Sequence, residues 1–246
     1  MRITRIYSAE KLIPGVIISL ENAPTHYLMR VLRARVGDSL LLFDGSGGDF
    51  KSIIHSISKK EIQVKILEFI PKIVESPLKI HLVQGIAKGD KMDFIIQKAV
   101  ELGVTEITPL CTEYTQSRLP PEREAKRLAH WQGVIVSACE QSARTQLPIL
   151  NEPIRFADWM NAGSVATSFM LTPGAPQSLL TTLRSHPTAP TSIALLIGPE
   201  GGFSPVEIAA STATNRIPVS LGPRILRTET ASIVALSIIQ AEAGDL

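Results

Sequence analysis

Two cysteines, two tryptophans and three tyrosines in 246 residues narrow the chemistry open to this chain. Cys111 and Cys139 have no CxxC neighbour and no histidine at metal-ligand spacing, so no metal site is expected and both thiols read as reduced structural residues. No apolar run approaches ~18 residues, which argues against a transmembrane helix. Met1-Arg2-Ile3-Thr4-Arg5 is not followed by the apolar core of a signal peptide. A cytoplasmic protein with no membrane partner is expected. Neither G-x-G-x-x-G nor a Walker lysine pattern occurs, so the two commonest phosphate-loop signatures are missing.

A hydrophobic content of 44% with 20% charged residues is enough for a substantial core in one large domain or two modest ones. The net charge of +2 is too small to announce a nucleic-acid binder, but its distribution is uneven. Residues 1–72 carry 11 Lys/Arg against 7 Asp/Glu, and the remainder 14 against 16. Arg30, Arg33 and Arg35 cluster near His26, which suits phosphate contacts on a structured polyanion. Charge alone is equally consistent with a solvated basic face.

The first 70 residues alternate short β-like runs with turns: Val16–Leu20, Ser39–Phe43, Phe50–Ile54 and Ile62–Phe69. A short helix over Ala23–Leu32 places Leu28, Val31 and Leu32 on one face. Asp44-Gly45-Ser46-Gly47-Gly48 reads as a hairpin turn, because strand-like sequence follows it instead of a helix. This composition predicts a small β-barrel domain over 1–71, with 72–77 as a linker.

From Leu78 the rhythm changes to alternating strand and helix. Strands are expected at Leu78–Gln84, Glu106–Leu110, Val165–Leu171, Ile193–Ile197 and Ile217–Leu221. Helices are expected at Asp90–Leu102, Pro121–Ser142, Gln177–Leu183, Pro205–Ala213 and Glu229–Ala243. Such βα alternation predicts an α/β domain over 78–246, its parallel sheet covered on both faces. Ligands in these sheets bind beyond the carboxyl ends of the strands. The last helix is apolar almost all round and must be covered, by the core of its own subunit or by a second copy. Thr228 or Thr230 is its expected cap.

The most informative stretch joins the fourth of these strands to its helix. Gly198 ends an apolar run, Ser204 offers an N-cap hydroxyl, Pro205 fills the first helical position and Glu207 completes a capping box. The glycines between leave backbone N–H groups uncovered, which serves a ligand loop and a plain tight turn equally well. Leu171-Thr172-Pro173-Gly174 and Gly222-Pro223-Arg224-Ile225-Leu226-Arg227 end two other strands. If these strands are neighbours, the three loops form one pocket.

At this level of detail the segments are recognisable. Gly198-Pro199-Glu200-Gly201-Gly202-Phe203-Ser204 and Leu221-Gly222-Pro223-Arg224-Ile225-Leu226-Arg227-Thr228-Glu229-Thr230-Ala231 resemble the RsmE family of ribosomal RNA methyltransferases, of the SPOUT superfamily. His26–Arg33, Lys88–Asp93, Gln97–Val104 and Ala138–Arg144 agree in order, so the resemblance covers essentially the whole chain. It implies an N-terminal PUA-like β-barrel that binds RNA and a C-terminal SPOUT α/β domain with a trefoil knot. It also implies S-adenosyl-L-methionine as cofactor and a homodimer. The implied activity is methylation of N3 of a uridine in the 16S rRNA of the small ribosomal subunit. By matching positions, the cofactor would meet Leu171, Thr172, Gly198, Pro199, Gly201, Gly202, Leu221, Gly222 and Leu226. RNA contacts fall to Arg30, Arg33, Lys88 and Lys91. One departure is local: relatives commonly carry His-Pro after the strand that here ends Leu171-Thr172-Pro173.

Methyl transfer to uracil N3 requires loss of the imide proton, and the charge that develops spreads onto O2 and O4. Arg224 and Arg227 are the candidates to stabilise it; their alternative role is to pair with Glu200 or Glu229 and fix loop geometry. Glu200 is the third catalytic candidate, as proton acceptor, although a cationic neighbour would depress its pKa and make it a poor base. Two other functions remain open: a non-catalytic RNA-binding assembly factor, and a ribose 2′-O-methyltransferase built on the same knot.

Overall fold

A computed structural model of the chain describes residues 4–20, 22–115, 120–162, 167–186 and 190–246. It divides into two compact units, Met1–Glu75 with Cys139–Leu147, and Ser76–Ala138 with Pro148–Leu246.

The first unit is built on strands β1 (Thr4–Tyr7), β2 (Ile17–Leu20), β3 (Ser39–Phe43), β4 (Gly48–Ile57) and β5 (Ile62–Pro71), in the order β1-β3-β4-β5-β2. Only the β1–β3 pair is parallel. The period-2 pattern sets the register: Ile62, Val64 and Ile66 point inward against Leu40, Leu42, Phe50 and Ile54, and every one of these is buried. Asp44–Gly48 is the β3–β4 turn, its Asp44 carboxylate accepting the N–H of Ser46 at 3.0 Å and of Leu12 at 2.9 Å. β1, too short to show a period, is not anticipated by the sequence.

The expected N-terminal helix is real but changes pitch. Helix α1 (Asn22–His26) runs into a π-helical turn at Tyr27–Val31, where Leu32 donates its N–H to the Tyr27 carbonyl five residues back. Wider winding rotates the i+3 and i+4 positions away from the core. Leu28 alone is buried, while Val31 is 64% and Leu32 41% exposed, so the shared apolar face expected for these three does not exist.

Residues Cys139–Leu147 join this unit through charged hydrogen bonds. The Arg5 guanidinium pairs with Asp49 at 2.7 Å and donates to the carbonyls of Cys139 and Arg144 at 2.8 and 2.7 Å. The Glu75 carboxylate takes Arg144 at 2.7 Å and the N–H groups of Thr145 and Gln146 at 2.9 and 3.0 Å. Burial pushes the Cys139 thiol up to about 11, against the opposing pull of Arg144, so it is inert as a nucleophile.

The second unit runs β6 (Lys79–Gly85), α2 (Lys91–Glu101), β7 (Glu106–Cys111), α3 (Pro121–Ser142, its last turn in the first unit), β8 (Ile149–Leu150) and β9 (Ile154–Arg155). It continues through α4 (Phe156–Asn161), β10 (Thr167–Leu171), α5 (Leu179–Arg184), β11 (Ser192–Ile197), α6 (Pro205–Ala213), β12 (Ile217–Val219) and α7 (Thr228–Ala243). The expected strand residues Val165 and Ala166 lie outside the described residues. The strands form one parallel sheet in the order β12-β10-β11-β6-β7-β8, with β9 also paired to β7. Both faces are covered, which is why the centres of these strands are buried at consecutive positions instead of alternating, as in Leu82–Gly85, Ile107–Leu110, Ser168–Leu171 and Ile193–Ile197. On one face Val83, Leu110, Met170, Ala194 and Leu196 pack with Phe156, Trp159 and Met160 of α4 and with Ile208 of α6. On the other, α2 and α5 pack against α7.

Strand order is what positions a site. The chain leaves β6 toward β7 and returns on its other side at β11, so β6 sits at a switch of direction. Parallel β10 and β11 are neighbours and β12 flanks β10, so the loops after Leu171, Ile197 and Val219 emerge at the same edge.

Candidate active site

The three loops enclose a cavity of about 460 Å³ lined by Leu171, Pro173, Ile197–Gly202, Ile225–Thr228, Ala231 and Lys91. Local chemistry explains each wall. β11 stops at Gly198, and Gly202, at φ +71, closes a turn by donating its N–H to the Pro199 carbonyl at 2.9 Å. α6 then begins with the full capping box: Ser204 Oγ accepts the Glu207 N–H and the Glu207 carboxylate accepts the Ser204 N–H. The turn is also tight across its mouth. A methyl group on Gly198 would meet the backbone carbon atoms of Gly202 at 2.9 Å.

Of the residues expected at a cofactor, Leu171, Gly198, Pro199, Gly201, Gly202 and Leu226 line this cavity. Thr172, Leu221 and Gly222 do not. Thr172 ties the start of the first loop to the end of β12 by donating its N–H to the Val219 carbonyl at 2.9 Å, and Gly222 turns the third loop at φ +104. Arg227 and Glu200 line the cavity, whereas Arg224 is exposed in the third loop outside its wall. Arg30 and Arg33 are exposed on the first unit, Arg33 with a left-handed φ of +52.

The ion pairs differ from those expected. Neither Arg224 nor Arg227 pairs with Glu200 or Glu229. Lys91, at the start of α2, takes both carboxylates instead, at 3.2 Å from Glu200 and 3.8 Å from Glu229. It is thus in the cavity wall, and Lys88 contributes its backbone N–H, not its ammonium, by donating to Glu200 at 3.1 Å. The reason is topological: α2 packs on α7, so the first turn of α2 faces the first turn of α7. Burial raises the Glu200 carboxyl, but hydrogen bonds from its own N–H, the Lys88 N–H and the Lys91 ammonium outweigh that and leave it below the usual range.

The cap of α7 also differs. Arg227 occupies the N-cap position with no side-chain cap, and Thr228, the first helical residue, faces the sheet. Its hydroxyl donates to the Gly198 carbonyl at 2.7 Å and accepts from Gln84 Nε2 at 3.0 Å; Gln84 Oε1 accepts the Ser232 hydroxyl at 2.7 Å. Gln84, Thr228 and Ser232 are all buried. This satisfied polar network clamps the ends of β6 and β11 to the start of α7. Gly85 completes the clamp, since a methyl there would lie 2.4 Å from the Pro199 nitrogen and Cδ. Gln84 and Gly85 carry no sequence motif; the signal available was a polar amide followed by a glycine at the end of β6.

The clamp gives a direct expectation. Thr228→Val keeps the shape and removes one buried bond to the loop, worth ~1 kcal/mol. Ligand affinity at the cavity should fall about fivefold by isothermal titration; an unchanged affinity would show that the loop holds its form without Thr228.

Among the described residues no cluster of side chains suits a metal ion, and no helix is long and apolar enough to cross a membrane. The cavity volume falls within the range of small-ligand sites, its walls are mostly apolar and backbone, and the close-set glycines admit a ligand where side chains would fill the space.

Comparison with known proteins agrees with this geometry. An RNA methyltransferase domain family matches residues 74–240, and an RNA methyltransferase PUA domain family matches residues 20–67. The ribosomal RNA small subunit methyltransferase E of Buchnera aphidicola (subsp. Schizaphis graminum) is 40% identical over 246 residues, covering 100% of this chain and 98% of that protein. Its namesake from Synechocystis is 34% identical over 96% of this chain and 77% of that protein. Among solved structures, a Legionella pneumophila protein in complex with the cofactor SAM superposes with a TM-score of 0.95 at 40% identity, covering 100% of both chains. A ribosomal RNA small subunit methyltransferase E from Neisseria gonorrhoeae, bound to S-adenosyl methionine, gives 0.91 at 34%, again over 100% of both. With matches spanning both units, the chain belongs to the ribosomal RNA small subunit methyltransferase E family.

Proposed function

We propose that this enzyme transfers a methyl group from S-adenosylmethionine to N3 of a uridine in the 16S rRNA of the small ribosomal subunit. The observation that carries the reading is the three-loop cavity, in a chain whose relatives of the same fold are crystallised with that cofactor. When bound, S-adenosylmethionine supplies a sulfonium methyl as electrophile. The loops Leu171–Pro173, Gly198–Gly202 and Ile225–Thr228 hold it through backbone groups and apolar walls. Thr172, Leu221 and Gly222 act as supports of those loops.

Positioning and charge management are the protein's share of the chemistry. Arg227 lies in the cavity wall without a carboxylate partner among the described residues, so its guanidinium is free to meet charge developing on the uracil oxygens. Arg224, farther out on the same loop, serves the approaching RNA. Glu200 is held ionised by Lys88 and Lys91, which makes it a weak proton acceptor and a good bracket between the second loop and α2.

The first unit, whose central part matches a PUA domain, presents exposed Arg30, Arg33 and Arg35 beside exposed Tyr27, a basic surface with an aromatic platform suited to RNA. Arg30→Ala with Arg33→Ala should weaken RNA binding, make the log–log salt slope shallower by about 1–2 and leave cofactor affinity alone. An unchanged slope in a salt titration would contradict this.

Two finer features belong to the same reading. Ile233, Val234 and Ile238 of α7 are only half-buried within one chain, which supports a homodimer, to be measured by light scattering. The segment from β12 at the sheet edge crosses past β10 to begin α7 against β6 and β11, a path that supports the trefoil knot.

The test is to incubate the protein with small subunits lacking the mark and analyse nucleosides by mass spectrometry. 3-Methyluridine is expected. A 2′-O-methyl nucleoside would overturn the N3 assignment, and cofactor binding with no methylated product would indicate an assembly factor.

A further inference from the structure

Tyr114 stands outside every role assigned above, yet it is the aromatic residue set against the cofactor loop. It is 48% exposed on the turn after β7, and its hydroxyl has no partner among the described residues. That turn is rigid: Thr112 donates its N–H to Thr115 Oγ1 at 2.9 Å, and Thr115 donates its N–H to the Thr112 carbonyl at 3.1 Å. It is also bolted to the cofactor loop by one buried carboxylate. Glu207, 7% exposed, accepts the Glu113 N–H on Oε1 and the Ser204 N–H on Oε2, both at 2.9 Å.

The contact between the two loops is close. A methyl on Gly201 would lie 2.8 Å from Tyr114 Cβ, 3.3 Å from Cγ and 3.5 Å from Cδ2, so the ring borders the bare backbone of a cavity residue. An exposed aromatic ring carried on a hydrogen-bonded turn beside the cavity is a stacking platform awaiting a planar partner.

We propose that Tyr114 stacks on the target base and holds it at the cavity, an inference that rests on the RNA-methylating function above. Uracil N3 lies on the Watson–Crick edge, so the enzyme must draw the base out of its stack to reach it, and an aromatic face replaces the stacking lost. Stacking does not read base identity. Tyr114 is therefore a positioning residue, and Gly201 is glycine because a side chain would displace the ring.

The test compares Tyr114→Phe with Tyr114→Ala in two assays. The first is methylation of unmodified small subunits, with cofactor affinity measured alongside. The second is the fluorescence of 5-thienyluridine in a short RNA saturated with protein, which stacking on an aromatic ring quenches. Tyr114→Phe should retain kcat/KM within about threefold and keep the quench. Tyr114→Ala should lose about 10- to 100-fold in kcat/KM and lose the quench, with cofactor affinity unchanged. Wild-type activity in Tyr114→Ala, or equal losses in both variants, would overturn the stacking role. A quench by wild-type protein that Tyr114→Ala abolishes, without 3-methyluridine from either, would support stacking while refuting N3 methylation.

Discussion

Gly85→Ala is expected to weaken S-adenosylmethionine binding by about 100-fold without unfolding the protein. The glycine ends β6 under the Gly198–Gly202 loop, and an added methyl would sit 2.4 Å from the Pro199 nitrogen and ring and 2.8 Å from the Gly198 carbonyl carbon. These are backbone and proline atoms that cannot swing aside as a flexible side chain can. Overpacking of this kind costs ~1–3 kcal/mol, and the loop, the less braced partner, moves first. At ~1.4 kcal/mol per decade, the upper end of that cost is about two decades of affinity. Gly198→Ala presses the same turn from inside, 2.9 Å from Gly202, and should behave alike. Gly133→Ala supplies the control: nothing lies within 4 Å of a methyl there, and on helix α3 alanine should be neutral or stabilising. Titration calorimetry with thermal unfolding separates the cases. If Gly85→Ala binds within twofold of wild type, the turn does not cradle the cofactor.

The contrast between Gly85 and Gly198 shows what could be read from the chain alone. Gly198 sits in a local signal, an apolar run followed by glycines and a capping box, and the structure reproduces that box residue for residue. Ser204 and Glu207 bond each other three positions apart and Pro205 sits between them at the first helical position, so their pattern is visible in one dimension. Gly85 acts on Pro199, 114 positions distant, through a strand order that sequence periodicity does not encode. Gln84 and Thr228 are similar: the threonine looked like a cap because capping is local, and it serves instead as a bridge between β11 and α7. The ion pairs of Lys91 are equally distant in sequence: Glu200 comes from the loop after β11 and Glu229 from the first turn of α7. The burial of the parallel strands was legible from their apolar runs. The loss of the N-terminal helical face was not, because the change from α to π winding leaves no mark in the spacing of Leu28, Val31 and Leu32.

Arg227→Ala should lower kcat for methylation by about 10²- to 10³-fold, the scale of losing one donor aimed at developing charge, with cofactor affinity little changed. The ion-pair geometry is the ground for choosing this arginine. Lys91 already engages Glu200 and Glu229, which leaves Arg227 in the cavity wall with its charge uncompensated by either carboxylate. An arginine retained for loop structure would be paired with them. Arg224 is exposed and outside the wall, so Arg224→Ala should act mainly on KM, by about tenfold or less. Arg227→Lys keeps the charge but not the planar fork of donors and should recover only part of the rate. The pH dependence carries the mechanism further. Under the proposed N3 mechanism the Arg227 charge would lower the effective pKa of the imide it meets, and removing it would raise that pKa. Single-turnover rates of Arg227→Ala should therefore keep rising with pH beyond the point at which the wild-type rate levels off, narrowing the gap between them. A loss confined to KM, or a gap constant across pH, would assign Arg227 to holding the RNA instead of stabilising the charge formed at N3.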